Sequence, residues 1–99
     1  MTKRTPLETA NLLKEIFREK FGGKPLGRYQ ISRKHLLQLA GYKVFPSLFL
    51  DHLIFDGLEV GIVIFDIGAG FAVTELSIFE GYRNVPPAVI EKIIEKKFN

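Results

Sequence analysis

No cysteine occurs among the 99 residues, so one hydrophobic core has to hold this chain without a covalent staple. Disulfides and thiolate metal sites are excluded, and a reducing compartment fits. A second core has no room at this length. We therefore expect a single domain over residues 1–99, with its core in 5–76 and a C-terminal helix over about 86–98. The hydrophobic fraction of 46% and the nine Phe, with no Trp, make that core Phe-rich. No apolar run reaches the roughly 18 residues of a membrane span. The longest, around Val60–Phe65, is broken by Gly61 and Asp66. The N-terminus is basic, but a capped amphipathic pattern follows it rather than a signal-peptide core. The expected location is the cytoplasm.

The capped pattern begins at Thr5-Pro6-Leu7-Glu8, a capping box with proline at the first helical position, where its missing N–H costs nothing. Leu13, Ile16, Phe17 and Phe21 then recur at helical spacing, widened by Leu12, until Gly22-Gly23 stops the helix. Lys24–Gly27 reads as a turn and Arg28–Ile31 as a short strand with Tyr29 and Ile31 on one face. Ser32 caps a second helix, Arg33–Ala40, which Gly41 ends. A linker over Tyr42–Phe45 leads to a third helix starting near Pro46 or Ser47. Its apolar residues go most of the way around. Ile62–Ile67 and Phe71–Leu76 are β-rich runs on either side of Gly68-Ala69-Gly70, a hairpin pattern. Ser77–Asn84 extends the strand or forms a loop. After Pro86-Pro87 a last helix carries Val89, Ile90, Ile93, Ile94 and Phe98 on one side and Glu91, Lys92, Glu95 and Lys96 on the other.

The net charge of +3 is unevenly spread. Residues 1–45 carry ten Lys/Arg against three acids, whereas residues 46–84 carry one base against six acids. Such a split makes a bipolar surface that steers a charged partner, or it is solvated charge that happens to cluster.

The fold class is α+β, and the order of elements resembles a winged helix: Thr5–Phe21 as first helix, Arg28–Ile31 as first strand, Ser32–Ala40 and Pro46–Glu59 as the helix-turn-helix pair, and Ile62–Leu76 as the wing. The C-terminal helix is an addition. The resemblance implies DNA binding, with the second member of the helix pair in the major groove. This chain departs from that chemistry. Its third helix offers Ser47, Asp51, His52 and Asp56 and no base, and acidic side chains repel the phosphates on which duplex affinity depends. The wing tip, Asp66–Gly70, has no base either. The linker Gly41–Phe45 exceeds the turn of about 3–4 residues of the motif. The bases lie elsewhere: Lys24, Arg28, Arg33, Lys34 and His35 gather around the start of the second helix, whose positive dipole end favours anions. Lys3 and Arg4 add phosphate attraction.

Other constellations carry less. His52 and Asp56 stand four apart on a helix but lack a third ligand, so no metal is expected. Ser32 and Ser47 read as caps rather than nucleophiles. Gly68-Ala69-Gly70 precedes a strand, whereas a phosphate-binding glycine loop precedes a helix. Tyr29 and Tyr42 stack on single-stranded bases or act as lids on the core. Neither an enzyme nor a small-molecule cofactor is expected. Two functions remain. One is a regulator or accessory subunit binding DNA through the basic N-terminal face. The other is a protein-interaction module, as a homodimer or a small subunit of a larger complex, without nucleic-acid binding. For the second, Phe45, Phe49 and Phe55 of the overly apolar third helix are the expected interface.

Overall fold

The computed structural model describes residues 2–23 and 27–98. The capping box forms as expected. The Thr5 hydroxyl accepts from the Glu8 N–H at 3.1 Å, and the Glu8 carboxylate accepts from the Thr5 N–H at 2.9 Å. It starts α1, Pro6–Ile16, which buries Thr9, Ala10 and Leu13. The helix ends five residues before the expected Phe21. Its last N–H groups, from Phe17 to Glu19, shift to carbonyls three residues back. That tightening serves packing: the Phe17 and Phe21 rings both meet Tyr29 edge-on, with centroids 5.2 and 5.9 Å away.

Strand β1, Tyr29–Ser32, passes directly into α2, Arg33–Ala40, because the Ser32 hydroxyl accepts from the His35 N–H and caps the helix at once. Helix α2 ends at Gly41, whose φ of 84° is open to glycine at little cost. Helix α3 covers Phe49–Glu59 and so begins later than expected. Ser47 and Leu48 form a turn closed by the Phe49 N–H donating to the Pro46 carbonyl, and the cap is Leu48 at a positive φ of 65° with no side-chain cap. Strands β2, Ile62–Asp66, and β3, Gly70–Glu75, form the hairpin. After it, in place of the expected strand extension or loop, comes a 3-10 helix, Leu76–Gly81. Helix α4, Pro87–Phe98, ends the chain's described part.

These elements make an α+β fold. The antiparallel sheet has the order β1-β3-β2, with Tyr29 opposite Val73 and Ile64 opposite Val73 on the other side. One face of the sheet, with Tyr29, Ile62, Ile64, Phe71 and Val73, is buried with Leu13, Leu36 and Leu53 of the helices. Helix α3 packs on α1 and β2. The last helix does not cover it, since every residue from Glu80 to Phe98 is exposed. Packing on α1 and β2 accounts for part of the apolar excess of α3, burying Phe49, Leu53 and Gly57. Phe49, at 5% exposure, is core, and Phe45 stacks on it with centroids 5.8 Å apart. Phe55 alone of the three expected interface aromatics is open, at 63%.

Leu48 is the one non-glycine residue with positive φ among the described residues. The left-handed conformation costs an L-residue roughly 1–2 kcal/mol, and the side chain is 60% exposed, so little burial offsets it. We expect Leu48→Gly to leave stability unchanged or raise it by up to about 1 kcal/mol, since glycine's extra chain entropy takes back part of the gain. Leu48→Val, stiffer at Cβ, should lower stability by about 1 kcal/mol. Urea unfolding of the two variants checks the order.

Candidate nucleic-acid interface

The short step from β1 to α2 sets Arg33, Lys34 and His35 on the first turn of α2, but sends them in different directions. Arg33 turns to the hairpin. Its Nε donates to the Gly68 carbonyl at 3.1 Å, its Nη2 pairs with the Asp66 carboxylate, and its guanidinium lies 4.8 Å from the centre of the Phe71 ring. Asp66 is itself held by the Gly68 N–H at 3.0 Å. The Gly68 N–H and the Arg33 guanidinium together keep the Asp66 carboxyl below the usual carboxylate range. Arg33 thus fastens the hairpin tip to the start of α2, with its charge paired to Asp66.

Lys34 and His35 line a depression of about 1220 Å³ on the other side of α2. The rest of that wall comes from two segments distant in sequence. The residues before α1 cross the end of α2, where the Arg4 N–H donates to the Ala40 carbonyl at 2.9 Å and the Arg4 guanidinium to the Leu39 carbonyl at 2.8 Å. These bonds satisfy carbonyls that a helix end leaves open. They carry Lys3 to the depression. The linker after α2 supplies Tyr42 and Lys43. At Gly41 the chain makes a Schellman turn: the Tyr42 N–H donates to the Leu37 carbonyl at 3.0 Å and the Gly41 N–H to the Gln38 carbonyl at 3.2 Å. Tyr42 is then held edge-on against Phe49, with ring centroids 5.3 Å apart, and the Lys3 ammonium stands 5.5 Å from the Tyr42 ring centre. Lys3, Lys34, Lys43 and His35 share this depression with Gln38 and Tyr42, and none of its described lining residues is acidic.

The expected basic patch is therefore divided. Lys34 and His35 belong to the depression, and Arg33 belongs to the hairpin. Arg28 lines a separate groove of about 710 Å³ on the outer side of the sheet, with Phe21, Phe65, Phe79 and Tyr82. Lys24 lies outside the described residues. Lys43 was missed by sequence reasoning because it sits in the linker, and only the turn at Gly41 brings it back to α2. Tyr29 is a lid on the core: its hydroxyl donates to the Leu13 carbonyl, and burial pushes its phenol pKa up. Asp51, His52 and Phe55 are exposed on α3, which carries no Lys or Arg. No group of three His, Asp or Glu able to hold a metal occurs among the described residues. No described helix is long and apolar enough to cross a membrane. Compared with known protein families, curated proteins and solved structures, the chain finds no match.

Two outcomes test how this site is built. A Cβ on Gly41 would collide with the Thr2 carbonyl oxygen, in addition to the positive φ. Gly41→Ala should therefore cost about 2 kcal/mol or more in chemical denaturation. The second concerns pH. A carboxylate whose folded pKa is depressed stabilises the fold above its ordinary value, 3.8 for Asp66, and that contribution disappears as pH falls through the folded pKa. Thermal scans should show Asp66→Asn less stable than the parent at neutral pH, with the difference closing in strong acid. Glu8, held low by its bonds to Thr5, accounts for acid sensitivity that remains.

Proposed function

We propose that this chain is a non-enzymatic, winged-helix-like domain that associates with nucleic acid as a regulator or accessory subunit. Its phosphate contacts come from Lys3, Lys34, His35 and Lys43. The observation that carries this reading is that all four residues line one depression whose described lining is free of acids. The order helix, strand, helix, helix, hairpin, with the sheet order β1-β3-β2, supports the winged-helix likeness. Contact runs through the edge of α2 and the linker rather than through α3, where Asp51 repels phosphate. Backbone contacts of this kind position a protein on nucleic acid without reading its sequence, so weak specificity is expected.

A second reading is a protein-interaction module with no affinity for nucleic acid. It is favoured by α3, which turns Phe55 and Leu58 to solvent beside Asp51.

Binding to duplex and single-stranded DNA by fluorescence anisotropy, titrated with salt, separates the two. The nucleic-acid reading expects binding at low salt that weakens steeply as salt rises. Lys34→Glu with Lys43→Glu should abolish most of it, and neutral Lys34→Gln with Lys43→Gln should lower the salt slope by about 2. Arg28→Gln, in the other groove, should change it far less. Absence of binding at low salt, or indifference to both double substitutions, rejects this reading and leaves the interaction module.

A further inference from the structure

We propose that α4 is a self-association arm, and that its apolar stripe packs against the same stripe of a second copy of this chain. The inference is independent of nucleic-acid binding. At 3.6 residues per turn, Val89, Ile90, Ile93 and Ile94 fall within about 140° of arc, two turns of continuous aliphatic surface. Lys97 closes the stripe at its C-terminal end, Phe98 stands beside it at 81% exposure, and Glu91, Lys92, Glu95 and Lys96 lie on the opposite side. All four stripe residues are 42–53% exposed, and α4 buries no residue. A 12-residue helix is marginal in water by itself, and three Ile and one Val are poor helix formers. Such a helix draws its stability from packing on something.

The size of the uncovered surface indicates how much. A compact monomer of 11.3 kDa exposes about 5,700 Å², whereas this chain exposes 7637 Å². Its radius of gyration is 17.1 Å and its longest extent 56 Å, against about 12.6 Å for the radius of a compact domain of this length. The excess, about 1,900 Å², is spread over the whole chain and includes the polar side of α4, so the apolar part of the arm accounts for only a share of it; the total leaves room for the roughly 800 Å² that each partner contributes to a standard stable interface. A second copy fits as occupant because the stripe is self-complementary: aliphatic along its length, with charge only at its margins. A two-fold axis through it buries both stripes at once and closes the assembly at two chains. Val85, exposed on the segment leading to α4, lies close to the stripe in the chain and enlarges the contact.

Sedimentation equilibrium of the full chain over a range of concentrations tests the proposal. The expected species at high concentration has twice the chain mass. Its helical circular-dichroism signal should fall on dilution as α4 loses its cover. Ile90→Lys with Ile93→Glu should raise the dimer dissociation constant at least about tenfold. Aromatic circular dichroism unchanged from the parent would show that the body still folds. Phe55→Lys, on α3, should leave the dimer intact. A parent chain that remains monomeric at the highest concentration overturns the proposal, whatever the variants do. So does a dimer that survives the α4 substitutions, or one that dissociates with Phe55→Lys.

Discussion

Phe71 is the point on which the rest of the molecule is hung. It lies on β3, the one strand paired on both sides, and no part of it reaches solvent. Phe45 meets it edge-on, with centroids 6.5 Å apart. The Arg33 guanidinium covers it from the side of α2. One ring therefore ties the sheet, the start of α2 and the linker before α3. Full burial of a Phe is worth roughly 1.5–3 kcal/mol, but its larger effect is geometric. With Phe71 in place, β1 and β2 are both in register, and the linker is folded back over α2. The depression lined by Lys3, Lys34 and Lys43 depends on that fold-back.

The legible parts of the fold were those fixed by local chemistry. Thr5 and Glu8 bond to each other across three residues, and Ser32 bonds His35 at the same spacing. Gly41 meets the left-handed requirement of a helix end by itself. Each depends on near neighbours only, so composition and spacing suffice to find it. The end of α1 and the start of α3 were not legible. Phe21 fits the helical period, but its ring is drawn to Tyr29, and the chain leaves the helix to reach it. Pro46 and Ser47 have the chemistry of a helix start. The helix begins instead at Phe49, which is core, after a strained Leu48 that no side-chain cap supports. In both places a long-range apolar contact outweighs a local preference.

The candidate site shows the same division. The basic character of residues 1–45 is visible in the charge count, but its distribution in space is not. Arg33, Lys34 and His35 are consecutive, and sequence treats them as one patch. Folding separates them because Asp66 and Phe71, distant in sequence, offer Arg33 a carboxylate and a ring face together. Lys3 and Lys43 move the other way. They are forty residues apart and become neighbours of one depression because Arg4 bonds the carbonyls at the end of α2 just where Gly41 turns the chain. The apolar third helix was legible only in part for a related reason: Phe55 is open as expected, but Phe49 is core. Its excess looked like an uncovered surface, yet α1 and β2 enclose Phe49, Leu53 and Gly57. Uncovered apolar surface remains at Phe55 and Leu58, and a larger stretch of it lies on α4, whose amphipathic pattern is itself that of a self-association surface.

These two surfaces bear on each other. A depression with three lysines and a histidine makes few phosphate contacts, and each contact is screened by salt over about 8 Å at physiological ionic strength. One copy should therefore hold nucleic acid weakly. Two copies joined through α4 would carry two such depressions on one particle, and the second contact would form at the effective concentration set by the first. Pairing would then supply the affinity that a single copy lacks, without any new contact to the nucleic acid. It would also make binding depend on protein concentration, since the arm must be covered before both sites can act together. Under the proposed reading, then, the exposed aliphatic stripe and the basic depression are two halves of one arrangement. The stripe would set when the chain pairs, and the depression would set what the pair can hold.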